Sequence, residues 1–266
     1  MTTPILIVGA GKMGTALIRG WVKAGLGPIV AVEPHPSDAL KETCVHIVPS
    51  LEAVPNHAWR VCVVALKPHI VRAEAAKLAN IAASGTLMIS IAAGTDTALL
   101  HRAWGDRAAI VRVMPNTPGA IGKGISGLFA VPGVSADDRV FAESLIAAIG
   151  QTVWLDAETL IDAVTAVSGS GPAYIFAVVE ALSKAGEAAG LPAATAARLA
   201  RATVTGAGAL LEADSRETAA LIRDVATPGG TTEAALKVLQ ATDGLAVVMA
   251  KAVSAAKARA EELARS

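Results

Sequence analysis

The sequence predicts an α/β fold: a doubly wound, mostly parallel sheet over residues 1–156, followed by an all-α domain over residues 157–266. Short apolar runs of strand length recur up to about Asp156 and then stop. Helical patterns lie between several of them, and strands alternating with helices indicate a parallel sheet covered on both faces. Beyond Asp156 the segments all read as helices. A chain of 266 residues is long enough for one large or two modest cores.

The first strand, ILIV (Ile5–Val8), runs through Gly9-Ala10-Gly11-Lys12-Met13-Gly14 into a helix over Met13–Ala24. This is G-x-G-x-x-G between a strand and an amphipathic helix, the context that gives the pattern its meaning. Gly9 allows the tight turn, Gly11 lets a pyrophosphate approach the backbone, and Gly14 lets helix and strand pack closely. The first half therefore reads as a Rossmann-type dinucleotide-binding domain, with Val8, Gly9, Ala10, Gly11, Lys12 and Met13 at the cofactor. The second strand, IVAV (Ile29–Val32), ends at Glu33. An acid there accepts hydrogen bonds from the adenosine ribose and repels a 2′-phosphate, favouring NAD over NADP unless Lys41 or another base swings in. A solvated loop glutamate is the alternative.

VHIV (Val45–Val48) and VCVVAL (Val61–Leu66) are the next strands, and ALKPH (Ala65–His69) closes the latter. The proline forces an extended exit over the crevice at the strand C-termini, so Ala65, Leu66, Lys67 and Pro68 are placed at the cofactor. Lys67 also reads as an ordinary surface lysine. A helix follows over His69–Asn80. TLMISI (Thr86–Ile91) ends in SIAAG, where Ala92 and Ala93 leave room for nicotinamide and its ribose. AIVRV (Ala109–Val113) ends in MPNTP, where Asn116 offers an amide donor and an acceptor. GISGLFAV (Gly124–Val131) and QTVWL (Gln151–Leu155) extend the sheet at one edge.

The helical half reads as Glu158–Val167, Ala173–Ala189, Ala193–Ala213, Arg216–Val225, Thr231–Ala241 and Leu245–Arg265. Gly190 and Pro192 supply a stop and a start between two of them. These helices are apolar over faces wider than one small bundle needs, so they are expected to pack against a second subunit; one compact bundle is the alternative. ATPGGTTEAAL (Ala226–Leu236) opens a helix with a proline, two glycines and two threonines. Bare N–H groups at such a start suit an anion, although Thr227 or Thr231 could cap the helix without a ligand.

Composition narrows the classes. Hydrophobic residues make up 53% but aromatics only 3%, so the core is built from Ala, Val, Leu and Ile. Lys plus Arg number 23 and Asp plus Glu 23, a balance that draws in neither nucleic acid nor an acidic membrane. Cys44 and Cys62 lack metal-ligand spacing, and the five histidines are scattered, so no metal is expected. The start MTTPILIV lacks a basic segment ahead of an apolar one, and the window Leu78–Thr95 is broken by polar residues. A soluble cytoplasmic protein is expected.

Taken in order, GAGKMG, ALKPH, SIAAG, MPNTP, DAVTAVSGSGPAYIF and VATPGGTTEAALKVLQ resemble the pyrroline-5-carboxylate reductase family across nearly the whole chain. The resemblance implies a Rossmann domain followed by a helical dimerisation domain, assembled as dimers or rings of dimers. It implies reduction of Δ1-pyrroline-5-carboxylate to L-proline, the last step of proline biosynthesis, with NADPH or NADH. The Gly230, Thr231 and Thr232 amides would then hold the substrate carboxylate, with the Thr232 hydroxyl at the ring nitrogen as the catalytic group. Glu158 would pair with the iminium or amine. Ser168, Ser170 and Gly171 would form a tight break between helices, opened again by Pro172. The chain departs from the family at GAIGKG after MPNTP, at Asp224 where an asparagine often faces the cofactor, at Ser50 near a frequent asparagine, and at Glu33-Pro34.

Two other readings fit parts of the pattern. A β-hydroxyacid dehydrogenase would need a lysine acid/base, for which Lys184 is the one candidate in the middle helices. A cofactor-sensing protein without catalysis would need no carboxylate clamp, and PGGTT argues against it.

Overall fold

The computed structural model describes residues 3–265, which divide into two compact units. The first holds the residues up to Ser170 together with those from Ala256 onward; the second is Gly171–Ala255.

The first unit is an eight-stranded sheet. In chain order its elements are β1 (Ile5–Val8), α1 (Lys12–Lys23), β2 (Ile29–Val32), α2 (Asp38–Lys41), β3 (His46–Val48), β4 (Val61–Val64), α3 (Pro68–Glu74), α4 (Ala79–Ala83), β5 (Leu87–Ser90), α5 (Thr97–Trp104), β6 (Ile110–Met114), β7 (Gly124–Ala130), α6 (Ala136–Ala147), β8 (Gly150–Trp154) and α7 (Leu160–Val164). The strand order is β3-β2-β1-β4-β5-β6-β7-β8. Pairing is parallel throughout except between β6 and β7. The order reverses between β1 and β4, and the crevice beyond their C-terminal ends is where such sheets bind ligands.

β1, β2, β4 and β5 are buried at every residue, as a parallel sheet covered on both faces requires. Edge strand β8 instead alternates half-buried with exposed positions. Two tryptophans are buried in the core with their N–H groups satisfied. Trp21 Nε1 donates to Leu145 O at 2.8 Å and Trp104 Nε1 to Ala75 O at 2.9 Å. The expected helix His69–Asn80 is divided: α3 gives way to a 3₁₀ stretch at Ala75–Leu78 before α4. The Trp104 indole takes up the Ala75 carbonyl where the helix tightens.

α7, at the start of the helical half of the chain, packs within the first unit. Its Ile161 is buried, and Val164 lies so near Gly127 of β7 that a side chain at Gly127 would stand 3.0 Å from it. Thr165–Gly169 forms a π-helical stretch, with Thr165 Oγ1 donating to Ile161 O, and Ser170 separates it from the next helix, which begins at Gly171.

The second unit contains α8 (Gly171–Ala188), α9 (Ala193–Ala213), α10 (Thr218–Val225), α11 (Thr231–Leu239) and the first part of α12 (Leu245–Arg265). Gly190, at φ +99°, turns the chain from α8 to α9. Gly186 lets the two helices approach, since a Cβ there would stand 3.2 Å from that of Ala196. Ala196 and Ala200 are buried in α9, whereas α8, α10 and α11 bury no residue. Ile175, Phe176, Leu199, Leu210 and Val238 are all exposed, Phe176 by 68%. Leu160–Ala188 is long and apolar enough to cross a membrane by length and composition.

The two thiols differ sharply. Cys62 lies fully buried in β4, and burial pushes its thiol up to about 12, whereas Cys44 is exposed. A buried, protonated thiol is a poor nucleophile. Iodoacetamide at neutral pH is therefore expected to label the native protein at Cys44 alone and to reach Cys62 only after unfolding, which intact-mass spectrometry distinguishes.

Candidate active site

Val8, at the buried end of β1, delivers the chain to Gly9, whose φ is +89°. A side chain at Gly9 would meet the Ala65 carbonyl oxygen at 2.9 Å and Leu66 at 2.8 Å. This glycine thus lets the β1 loop lie against the β4 exit. Gly14 serves the same turn: a Cβ there would collide with the Gly9 carbonyl oxygen. At Gly11 a Cβ would meet nothing within 4 Å. No protein neighbour demands that glycine, so the space it leaves is room for a ligand. Gly11 is also the N-cap of α1 and makes no side-chain cap bond. The opening amides of the helix, at Lys12, Met13 and Gly14, therefore lack that partner, and a pyrophosphate fits the gap.

Glu33 leaves β2 and turns back over this loop. Its Oε2 accepts from Ala10 N at 2.9 Å and its Oε1 from His35 N at 3.1 Å. A cavity of about 570 Å³ brings Glu33 together with Val8, Gly9, Gly11, Ala65, Leu66 and Lys67. Ser50, where the chain departs from the family pattern, lines it too, as do Pro34, His35 and Ile70. Ser50, Pro34 and His35 come from loops and Ile70 from α3, and their convergence on the crevice follows from strand order rather than from any local motif. Lys12 lies in an adjoining cavity of about 550 Å³ with Arg19, His35 and the other side of Glu33. Pro68 is the first residue of α3, after Lys67 at its N-cap, and Met13 is half-buried against the core.

Beyond β5, Ala92 is buried, and its N–H donates to Ser90 Oγ at 3.4 Å. Ala93 follows, half-buried. Asn116 is buried after β6, and its Oδ1 accepts from Ile125 N at 3.1 Å. The acceptor half of that amide is thus turned toward the β7 backbone.

Glu158 has partners other than those expected of it. Its Oε1 accepts from Arg112 Nη1 at 2.6 Å and from Thr97 N at 2.7 Å, while Oε2 accepts from Thr97 Oγ1 at 2.5 Å. It lies in the turn before α7, which starts at Leu160, so it is not a first-turn residue either. In this structure the Arg112 guanidinium supplies its positive partner. Arg112 sits inside the apolar run AIVRV, and nothing in that run announced it.

The residues expected to hold the substrate belong to the second unit. Gly230 is the N-cap of α11 and, having no side chain, makes no side-chain cap bond. Thr227 and Thr231 are therefore not the caps they could have been. Gly229 adopts φ +71°, and its N–H donates to Glu233 Oε2 at 2.6 Å. A Cβ on Gly230 would lie 2.5 Å from Thr227 Oγ1, so this turn tolerates only glycine. The first-turn amides of Thr231 and Thr232 consequently face outward at the positive end of the helix. Asp224 is bound by Arg216 at 2.8 Å, which Asp214 also holds. Lys184 pairs with Glu180 at 2.6 Å, and that bond raises its pKa, the wrong direction for a base. Among the described residues no group of three or more His, Cys, Asp or Glu side chains gathers as a metal site would.

Comparison with known proteins gives this arrangement its family. A pyrroline-5-carboxylate reductase from Pseudomonas aeruginosa is 41% identical over 99% of this chain and 98% of its own length. The chain belongs to the pyrroline-5-carboxylate reductase family. The family model described as pyrroline-5-carboxylate reductase dimerisation matches residues 158–263. That described as NADP oxidoreductase coenzyme F420-dependent matches residues 4–94. The solved structure of the Coxiella burnetii pyrroline-5-carboxylate reductase superposes with a TM-score of 0.90 at 36% identity, covering 99% of both chains. That of the Plasmodium falciparum pyrroline carboxylate reductase, with NADP bound, gives 0.83 at 26% identity over 98% of both. In this reductase-family chain the exposed apolar helices have an account: oligomerisation runs through the C-terminal domain.

Proposed function

We propose that this chain reduces Δ1-pyrroline-5-carboxylate to L-proline at the expense of NAD(P)H, completing proline biosynthesis, with the residues above in the following roles. When bound, the reduced nicotinamide supplies the hydride. The α1 start, from Gly9 to Met13, holds the pyrophosphate, and Ala65–Pro68 forms the facing wall. Ala92 and Ala93 make the floor at the nicotinamide end, beside Asn116. The Gly230, Thr231 and Thr232 amides hold the substrate carboxylate, and the Thr232 hydroxyl stays at the ring nitrogen, keeping it cationic or relaying its proton. The observation that carries the substrate role is the glycine-built, uncapped start of α11. A cyclic amino acid presents the carboxylate such a start favours.

Two copies pair through the exposed apolar faces of α8–α12, as a dimer or as the unit of a ring of dimers. That pairing also removes the apolar surface of Leu160–Ala188 from water, so the helix needs no membrane. An exposed free thiol at Cys44 suits the reducing cytoplasm.

Glu33 sets the cofactor preference. Its carboxylate is fixed by two backbone amides, which aims negative charge at the adenosine ribose. Ribose hydroxyls can donate to the remaining lone pairs, whereas a 2′-phosphate is repelled. Side-by-side oxidation of NADH and NADPH with pyrroline-5-carboxylate is expected to show higher kcat/KM with NADH. Glu33→Gln keeps the shape and removes the charge, and is expected to shift the ratio toward NADPH by about 100-fold, since juxtaposed like charges cost several kcal/mol. Rapid turnover with an unchanged ratio would discard the Glu33 role and keep the enzyme. No turnover with either cofactor would discard the reductase reading.

A further inference from the structure

Arg72 lies on α3, shortly past the Lys67–Pro68 exit of β4. Its Nη2 donates to two carbonyls at once, Gly94 O at 3.0 Å and Leu263 O at 2.7 Å. These acceptors are far apart in sequence: one is in the loop that leaves β5, the other in the last turn of α12. Both lie in the first unit, to which residues from Ala256 onward belong.

Three features make this more than a chance surface contact. Gly94 has φ +61°, and a Cβ there would stand 3.3 Å from the carbonyl carbon and oxygen of Leu263. The helix end therefore lies against the loop at a point where glycine alone leaves room. Leu263 is among the last four residues of α12, whose carbonyls a helix leaves for outside partners, at the negative end of its dipole. A guanidinium suits that end, and its fork of donors can serve two carbonyls together. Finally, the loop is held on its far side as well, where Glu158 accepts both from the Thr97 amide and from its hydroxyl. Gly94 lies between that anchor and Ala92.

We propose that Arg72 is a positioning residue: by tying the last turn of α12 to Gly94, it keeps the Ala92–Gly94 loop in the shape the nicotinamide end of the cofactor requires. The C-terminal turn is then a working part of the cofactor site. The functional consequence rests on Ala92–Ala93 being the nicotinamide floor; the clamp itself does not.

The test uses the full-length protein, Arg72→Ala, Arg72→Lys, a chain ending at Glu262, and that shortened chain carrying Arg72→Ala. Amide hydrogen exchange without ligand is expected to speed up at residues 92–96 in Arg72→Ala and in the shortened chain, with little change elsewhere. Affinity for NADH is expected to fall about five- to tenfold in both, while affinity for ADP-ribose, which lacks nicotinamide, stays level. Arg72→Lys should recover part of the loss. The combined variant should be no worse than either alone, because both remove the same link. Unchanged exchange at 92–96 would overturn the clamp, as would losses that multiply in the combined variant. Equal weakening of NADH and ADP-ribose would overturn the nicotinamide-specific role. If the unaltered protein bound no nicotinamide cofactor, the functional reading would fail while the exchange measurement still decided the clamp.

Discussion

Glu158→Ala is expected to destabilise the fold by about 3 kcal/mol, because it strands a buried guanidinium. Arg112 is on β6, in register with Ser90 of β5 and Phe129 of β7, and its side chain is 6% exposed. Its Nη1 reaches Glu158 Oε1 at 2.6 Å. Breaking a buried pair from one side costs about 3–5 kcal/mol, and partial exposure of Glu158 places this case at the lower end. The same carboxylate receives two bonds from Thr97, so the start of α5 loosens as well. At roughly 2–4 °C per kcal/mol for a chain of this size, the melting temperature should fall by about 6–12 °C. Arg112→Met combined with Glu158→Leu should recover part of the loss, since the guanidinium is no longer buried without its carboxylate, while Asp162 loses the Arg112 charge that favours its ionised form. Thermal melts followed by circular dichroism check both results. They also separate two roles for Glu158. A substrate contact would raise KM for the imine and leave the melt within a degree of the parent, which would sink the structural account.

That case shows where sequence reasoning stopped. GAGKMG between Ile5–Val8 and α1 was legible because strand, loop and helix are contiguous, and the constraints on Gly9 and Gly14 are local. The parallel sheet was legible from fully apolar runs of strand length. The reversal of direction between β6 and β7 was not, since GISGLFAV would look the same either way round. Glu158 stands 46 residues from Arg112, and neither position carries a local mark of its partner. An acidic residue just before an apolar helix looks like a dipole-stabilised first-turn residue until the sheet brings the arginine beneath it. The boundary near Asp156 coincides with the start of the dimerisation-model match at residue 158, whereas compactness alone divides the chain after Ser170. The strand pattern ends near Asp156, but α7 still buries Ile161 in the first unit, and secondary-structure type does not report which core a helix joins. The PGGTT start was legible because its message is backbone geometry, and only glycine offers it.

Thr232→Ala is expected to lower kcat by about 100-fold, the scale for losing one well-placed hydrogen-bonding group at a reacting centre, while leaving NADH affinity within about twofold. The structure makes this substitution unusually clean. Thr232 is the second residue of α11, and its hydroxyl takes no part in capping the helix. Alanine is the better helix former, so stability should hold or rise slightly. The backbone amides at Gly230, Thr231 and Thr232 remain, so the carboxylate contact survives and KM for the imine should change less than kcat. A split in that direction means the hydroxyl matters more in the transition state than in the bound ground state. Thr232→Ser restores a hydroxyl at the same atom and should return most of the rate. Should the alanine variant turn over normally with an intact melt, proton handling at the ring nitrogen would fall to water or to the substrate itself. The α11 start would then be a carboxylate clamp alone.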